Sequence, residues 1–68
     1  MDTKAIGKKL EELRKAKGIT QAEVAEALGV SAMAVSLYEN GERIPRDEVK
    51  IKIADFFKTP VSSIFFGE

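Results

Sequence analysis

Residues 18–41 read Gly18-Ile19-Thr20-Gln21-Ala22-Glu23-Val24-Ala25-Glu26-Ala27-Leu28-Gly29-Val30-Ser31-Ala32-Met33-Ala34-Val35-Ser36-Leu37-Tyr38-Glu39-Asn40-Gly41. Thr20-Gln21-Ala22-Glu23 has the spacing of a capping box, in which the Thr20 hydroxyl and the Glu23 carboxylate each accept a backbone N–H of the first turn, and Ile19 can staple against Val24. A helix therefore starts at Gln21. Val24, Ala25 and Leu28 share its inner face, and Gly29 closes it after about two turns because glycine takes left-handed backbone without strain. Val30 and Ser31 repeat the device: Ser31 caps a second helix, and Val30 is placed to staple against Val35. This second helix is expected from Ala32 to Asn40, ending at Gly41.

Upstream, Ile6, Leu10 and Leu13 recur at i, i+4, i+7 among Lys8, Lys9, Glu11, Glu12 and Lys15, the pattern of an amphipathic helix. It is expected from about Thr3 to Lys17, with Asp2 or Thr3 as its cap and Gly18 as its stop. Downstream, Glu42-Arg43-Ile44-Pro45 reads as a loop, since proline biases its predecessor away from helix. Asp47 is the expected N-cap of a fourth helix with Val49, Ile51, Ile53, Ala54, Phe56 and Phe57 as its apolar residues. Thr59-Pro60 is expected to act as cap and first helical residue of a short fifth helix carrying Val61, Ile64, Phe65 and Phe66. With no strand alternation, repeat or low-complexity segment, the expectation is one all-α, five-helix domain over residues 1–68.

The chain has 68 residues, 11 basic and 11 acidic, and lacks Cys, His and Trp. A domain this small depends on one apolar core, with no disulfide or Cys/His zinc site to assist it. Cysteine nucleophiles, Ser-His triads and histidine acid/base chemistry are excluded together. Carboxylates alone remain, and they are scattered over exposed helix positions, so no enzyme activity, cofactor, metal or small-molecule ligand is expected. The longest apolar run, Ala32 to Val35, is far short of the roughly 20 residues of a membrane span. Met1-Asp2-Thr3-Lys4 has no secretion-signal character, and a cytoplasmic location is expected.

Two short helices joined by Leu28-Gly29-Val30-Ser31 match a helix-turn-helix, here residues 21–40, whose glycine-containing turn sets the helices at about 90–120°. That geometry leaves one face of the second helix free to enter a DNA major groove while the first lies across the backbone. On a wheel of ~100° per residue, Ala34, Val35, Tyr38 and Glu39 fall on one side and Ala32, Met33, Ser36, Leu37 and Asn40 on the other. Apolarity alone permits either side to be the inner one. The Val30–Val35 staple favours the first, leaving Met33 and Leu37 exposed and in need of a nucleic-acid groove or a protein partner.

Ile6-Gly7-Lys8-Lys9-Leu10 with Leu13-Arg14, Gly18-Ile19-Thr20-Gln21, Ala25, Leu28-Gly29-Val30-Ser31, Ser36, Tyr38-Glu39-Asn40-Gly41, Pro45 and Ile53-Ala54 occur in an order and spacing that together are specific, although each piece alone is weak. On these residues nearly the whole chain resembles the Cro and cI repressor-like helix-turn-helix regulators, the XRE family. The resemblance implies a lambda repressor-like DNA-binding fold, binding of double-stranded operator DNA as a homodimer, and regulation of transcription, with repression expected. It implies that Ala32, Met33, Ser36 and Leu37 face the bases, that Gln21, Ser31, Asn40 and the loop after it meet phosphates, and that Arg14 and Glu39 form a structural ion pair. Each residue also has a use without DNA: Gln21 as a helix former, Ser31 as a cap, Asn40 as a terminator, and Met33 and Leu37 as core or dimer residues.

The chain departs from the family pattern where relatives commonly carry Arg, Gln, Lys or Thr. Ala32, Met33 and Leu37 make no bidentate bonds to purines but can touch the thymine C5-methyl, tilting readout toward T-containing steps. Charge adds a second departure: residues 18–42 hold four acids and no base. Phosphate contacts then rest on helix N-termini, Gln21, Ser31 and Asn40, with Arg43 and Arg46 and one of Lys15 or Lys17 flanking them. Phe56, Val61, Ile64, Phe65 and Phe66 exceed what one face of two short helices can bury, so residues 49–66 are expected to supply a two-fold interface through Phe56, Ile64, Phe65 and Phe66, the alternative being that all five close the chain's own core. The alternative is a protein-interaction module, antitoxin-like or partner-binding, using the apolar face of the third helix; the acidic segment is compatible with it.

Overall fold

A computed structural model describes residues 2–67. Five helices follow one another: α1 (Thr3–Ala16), α2 (Gln21–Leu28), α3 (Ala32–Glu39), α4 (Asp47–Phe57) and α5 (Val61–Phe65), and the described residues contain no strand. The first three start where their side chains satisfy the orphan N–H groups. Asp2 Oδ1 accepts from the Lys4 and Ala5 amides at 3.1 and 3.2 Å. Thr20 and Glu23 close the capping box in both directions, at 3.1 and 2.9 Å, and Ser31 Oγ accepts the Ala34 amide at 3.0 Å.

The last two starts correct the sequence expectation by one residue each. Arg46, not Asp47, is the N-cap of α4, because the Val49 and Lys50 amides both return to the Arg46 carbonyl at 2.9 Å. Asp47 becomes the first helical residue, where its charge, with that of Glu48, complements the positive helix end instead of capping it. Likewise Pro60 is the cap of α5 and Val61 its first residue; the Thr59 hydroxyl donates backward to the Phe57 carbonyl at 3.0 Å. The Pro60 carbonyl accepts the Ser63 and Ile64 amides at 3.0 and 3.3 Å, although proline brings no side-chain acceptor to the cap.

Each helix turns its apolar stripe into one core: Ile6 and Leu10 from α1, Val24, Ala25 and Leu28 from α2, Ala34, Val35 and Tyr38 from α3, Val49 and Ile53 from α4, Ile64 and Phe65 from α5. Ile53, 1% exposed, is the most deeply buried. At the α2–α3 turn Gly29 takes φ +73°, and the Val30 amide bonds back to the Ala25 carbonyl at 3.0 Å. That left-handed residue lets Ser31 start α3 two positions later. The packing of α1 on α3 rests on a second glycine: a Cβ at Gly7 would stand 2.6 Å from the Tyr38 carbonyl oxygen and closer still to that of Glu39.

Candidate nucleic-acid interface

α3 is divided by its own packing. Ala34, Val35 and Tyr38 are buried, while Ala32 is exposed and Met33 is 73% exposed. Ser36 and Leu37 are half-buried, so the expectation that Leu37 stands out alongside Met33 is corrected. At ~100° per residue Leu37 lies only about 60° around the helix from buried Ala34. Met33 is thus the protruding tip of this face and Leu37 its shoulder.

A polar clamp fixes how this face is presented. The Glu39 carboxylate, its side chain 4% exposed, accepts Arg14 Nε at 2.7 Å, Arg14 Nη2 at 3.1 Å and Gln21 Nε2 at 3.0 Å. Arg14 Nη1 donates to the Ile19 carbonyl at 2.9 Å. One carboxylate therefore ties the C-terminal turn of α3 to α1 and to the first residue of α2. The hydrogen bond to Glu39 holds the Arg14 guanidinium above its ordinary pKa, against the opposing cost of burial and with help from the Glu39 and Glu11 charges. Among the described residues no buried side-chain nitrogen or oxygen lacks a partner.

Gln21 as a member of this clamp was not foreseen from sequence. Its bond spans eighteen positions of chain, and no local pattern encodes it. The contact also puts the start of α2 beside the end of α3, where Asn40 follows exposed as the C-cap. One amide hydrogen of Gln21 remains for another acceptor, and the Ser31 hydroxyl, which accepts from Ala34, keeps its own proton to donate. Arg43 and Arg46 are exposed in the loop beyond.

Two of the four acids in residues 18–42 are committed internally, Glu23 to the capping box and Glu39 to the clamp. Glu26 and Glu42 stay exposed. The two flanking lysines are also engaged: Lys15 pairs with Glu11 at 3.6 Å, and Lys17 Nζ lies 5.1 Å from the centre of the Phe56 ring.

The expected interface residues separate. Ile64 and Phe65 are sealed in the chain's own core, at 3% and 2% exposure, and have no surface to offer a partner. The reason is that α5 packs against both α1 and α4, burying two sides of a five-residue helix. Phe56 is half-buried, edge-on to Phe57 with ring centres 5.0 Å apart and Lys17 over its face. Phe66 alone of the four stands out, 59% exposed, at an open groove whose walls include Asp2, Ala5 and Lys9 of the first helix and its cap. Ile51 on α4 is a further exposed apolar residue, inside the expected 49–66 interface region but not singled out there.

Residues 10–64 match the model of a helix-turn-helix family. The chain is 38% identical over 63 residues to the HTH-type transcriptional activator BcrR of Enterococcus faecalis, covering 93% of this chain and 31% of that protein. It is 36% identical over 59 residues to the cryptic phage CTXphi transcriptional repressor RstR of Vibrio cholerae, covering 87% of this chain and 53% of the repressor. It therefore spans about half or less of the length of these relatives. The crystal structure of the clp gene regulator ClgR from Corynebacterium glutamicum superposes with a TM-score of 0.82 at 27% identity, covering 97% of this chain and 86% of that one. No helix among the described residues is long and apolar enough to cross a membrane.

Proposed function

Because the chain belongs to the Cro and cI repressor-like (XRE) helix-turn-helix family, we propose that it is a sequence-specific DNA-binding regulator of transcription, a repressor that binds a pseudo-palindromic operator as a homodimer in the cytoplasm. α3 enters the major groove with Ala32, Met33, Ser36 and Leu37 toward the base edges. Gln21, Ser31, Asn40, Arg43 and Arg46 contact phosphates, which position the protein without carrying sequence information. The observation that carries this reading is the outward-turned Met33 on a helix whose other side is locked by Tyr38 packing and the Glu39 clamp. Repression is supported by the relative named as a repressor.

Dimerisation is assigned to Phe66, which a two-fold contact would bury twice while setting both α3 copies on one side of the duplex, with half-sites about 34–36 Å apart. Selection of bound sites from random duplex DNA, at two salt concentrations with the mass of the complex measured, tests the proposal. A symmetric consensus bound by two chains is expected; failure to enrich any duplex refutes it.

The exposed acids Glu26 and Glu42, in a segment without a basic residue, favour one other reading, a module whose α3 docks a protein. Met33→Asp abolishing a protein complex while leaving DNA retention unchanged would select it.

A further inference from the structure

The base-facing side of α3 offers Ala32, Met33, Ser36 and Leu37, four side chains with a single hydrogen-bonding group, the Ser36 hydroxyl. A base edge in the major groove presents hydrogen-bond donors and acceptors, and one apolar feature, the C5-methyl of thymine. These four include no donor fork to grip the guanine O6 and N7 acceptors and no amide to pair with adenine; the one amide on the same side, Asn40, is the C-cap at the opposite end of the helix from Met33. The exposed apolar tip therefore has one complementary target, a methyl group on a pyrimidine C5.

We propose that Met33, with Ala32 beside it, reads pyrimidine C5-methyl groups irrespective of the base that carries them, so that 5-methylcytosine substitutes for thymine and binding responds to cytosine methylation of the site. The inference rests on the DNA-binding reading above. Thymine and 5-methylcytosine present the same methyl at the same place and differ at position 4, an acceptor oxygen in one and a donor amine in the other. Neither a thioether nor a methyl side chain tests that difference with a strong hydrogen bond. Ser36 does not oppose it either, because a hydroxyl rotates to donate to the oxygen or to accept from the amine.

Placement assigns the role to Met33 before Leu37. Ser31 caps the helix by accepting the Ala34 amide at 3.0 Å, so Met33 is the second helical residue, at the end of a recognition helix that meets base edges. It is exposed, whereas Leu37, one turn on, is half-buried. An unbranched thioether with three rotatable bonds also adapts to a methyl whose position varies between sequences.

The test uses the full chain and a duplex enriched from random DNA, with Kd measured at one salt concentration. Each thymine is replaced in turn by uracil, which removes only the methyl. At the contacted position uracil weakens binding about fourfold, the worth of one buried methyl-sized group. A C·G pair there weakens it as well, and 5-methylcytosine restores the affinity to within about twofold of thymine. In Met33→Ala, an exposed substitution whose fold is checked by circular dichroism, the thymine–uracil difference collapses; an effect of the methyl on DNA shape alone would persist. An enriched duplex that tolerates uracil at every thymine, or gains nothing from 5-methylcytosine, overturns this inference and leaves the DNA-binding reading standing. Failure to retain any duplex overturns both.

Discussion

Glu39 near the end of α3 and Arg14 near the end of α1 meet at 2.7 Å, with side chains only 4% and 13% exposed. The pair is stapled on both flanks, by Gln21 on the carboxylate and by the Ile19 carbonyl on the guanidinium. Its geometry makes it a joint between three helices, and a joint of this kind is worth more as a constraint than as a source of net stability.

Removing one partner leaves the other charge desolvated. Glu39→Ala or Arg14→Ala alone is expected to cost about 3–5 kcal/mol in urea unfolding. The double variant Arg14→Met/Glu39→Leu should lose distinctly less than the two single losses added together, since no stranded charge remains. Strict additivity would mean that the two side chains do not act as a unit.

Gly7 reaches the same end of α3 from α1. Alanine would raise helix propensity by about 1 kcal/mol at an exposed site, but here its Cβ would collide with the backbone carbonyls of Tyr38 and Glu39. Backbone cannot swing aside as a flexible side chain can, so α1 and α3 must part. Gly7→Ala is expected to destabilise by about 2 kcal/mol net, lowering Tm by about 10 °C on the scaling for small domains. An unchanged or raised Tm would show that the two helices can separate freely.

The parts of the fold that local chemistry encodes were legible. Asp2, the Thr20–Glu23 box, Ser31 and Gly29 each act on neighbours within five positions in the chain, and they set α1, α2 and α3. The starts of α4 and α5 shifted by one residue because Asp47 and Thr59, although good caps by type, compete with backbone carbonyls one position away that already satisfy the first turn. Long-range facts were not legible. Which of the apolar residues near the C-terminus are spare depends on how α5 packs between α1 and α4, and nothing local distinguishes Phe65 from Phe66. The bond from Gln21 to Glu39 belongs to the same class. For the nucleic-acid face, composition revealed an apolar tip, and only the burial of Leu37 reduced it to Met33.

α4 ends on Lys58, whose φ of +53° makes it the one left-handed residue other than glycine among those described. The Thr59 amide closes the turn on the Ala54 carbonyl at 3.0 Å. A Cβ in that conformation costs about 1 kcal/mol or more, partly offset by the larger unfolded-state entropy of glycine. Lys58→Gly is expected to stabilise by about 0.5–1 kcal/mol, and a thermal melt showing a lower Tm would contradict the strain assigned to this residue.

Phe66 and its neighbour Phe65 provide a paired control for self-association. Phe66→Ser removes an exposed ring and should leave the monomer's Tm nearly unchanged while shifting sedimentation toward the monomer. Phe65→Ser opens a core cavity and leaves a hydroxyl to satisfy, and is expected to cost about 3–5 kcal/mol. An association constant untouched by Phe66→Ser would overturn the assignment of the proposed two-fold contact to this residue.

The salt dependence of DNA binding follows from the charge arrangement. Arg14 is locked by Glu39, Lys15 and Lys17 already face Glu11 and the Phe56 ring, and Arg43 and Arg46 are exposed in the loop after α3 without such a partner among the described residues, so the phosphate charges are assigned to these two arginines. Two phosphates neutralised per protomer, hence four in a dimer, give a slope of log K against log salt of about −3.6. Neutral donors at Gln21, Ser31 and Asn40 add affinity without releasing counterions. Arg43→Ala should flatten the slope by about 1.8 in the dimer, at a loss of affinity that is uniform across sequences. Met33→Ala should leave the slope unchanged and alter only which sequences bind. A slope near −10, as expected of a highly basic interface, would contradict the assignment of the charge contacts to Arg43 and Arg46 alone and would bring exposed lysines such as Lys4, Lys15 and Lys17 onto the phosphates.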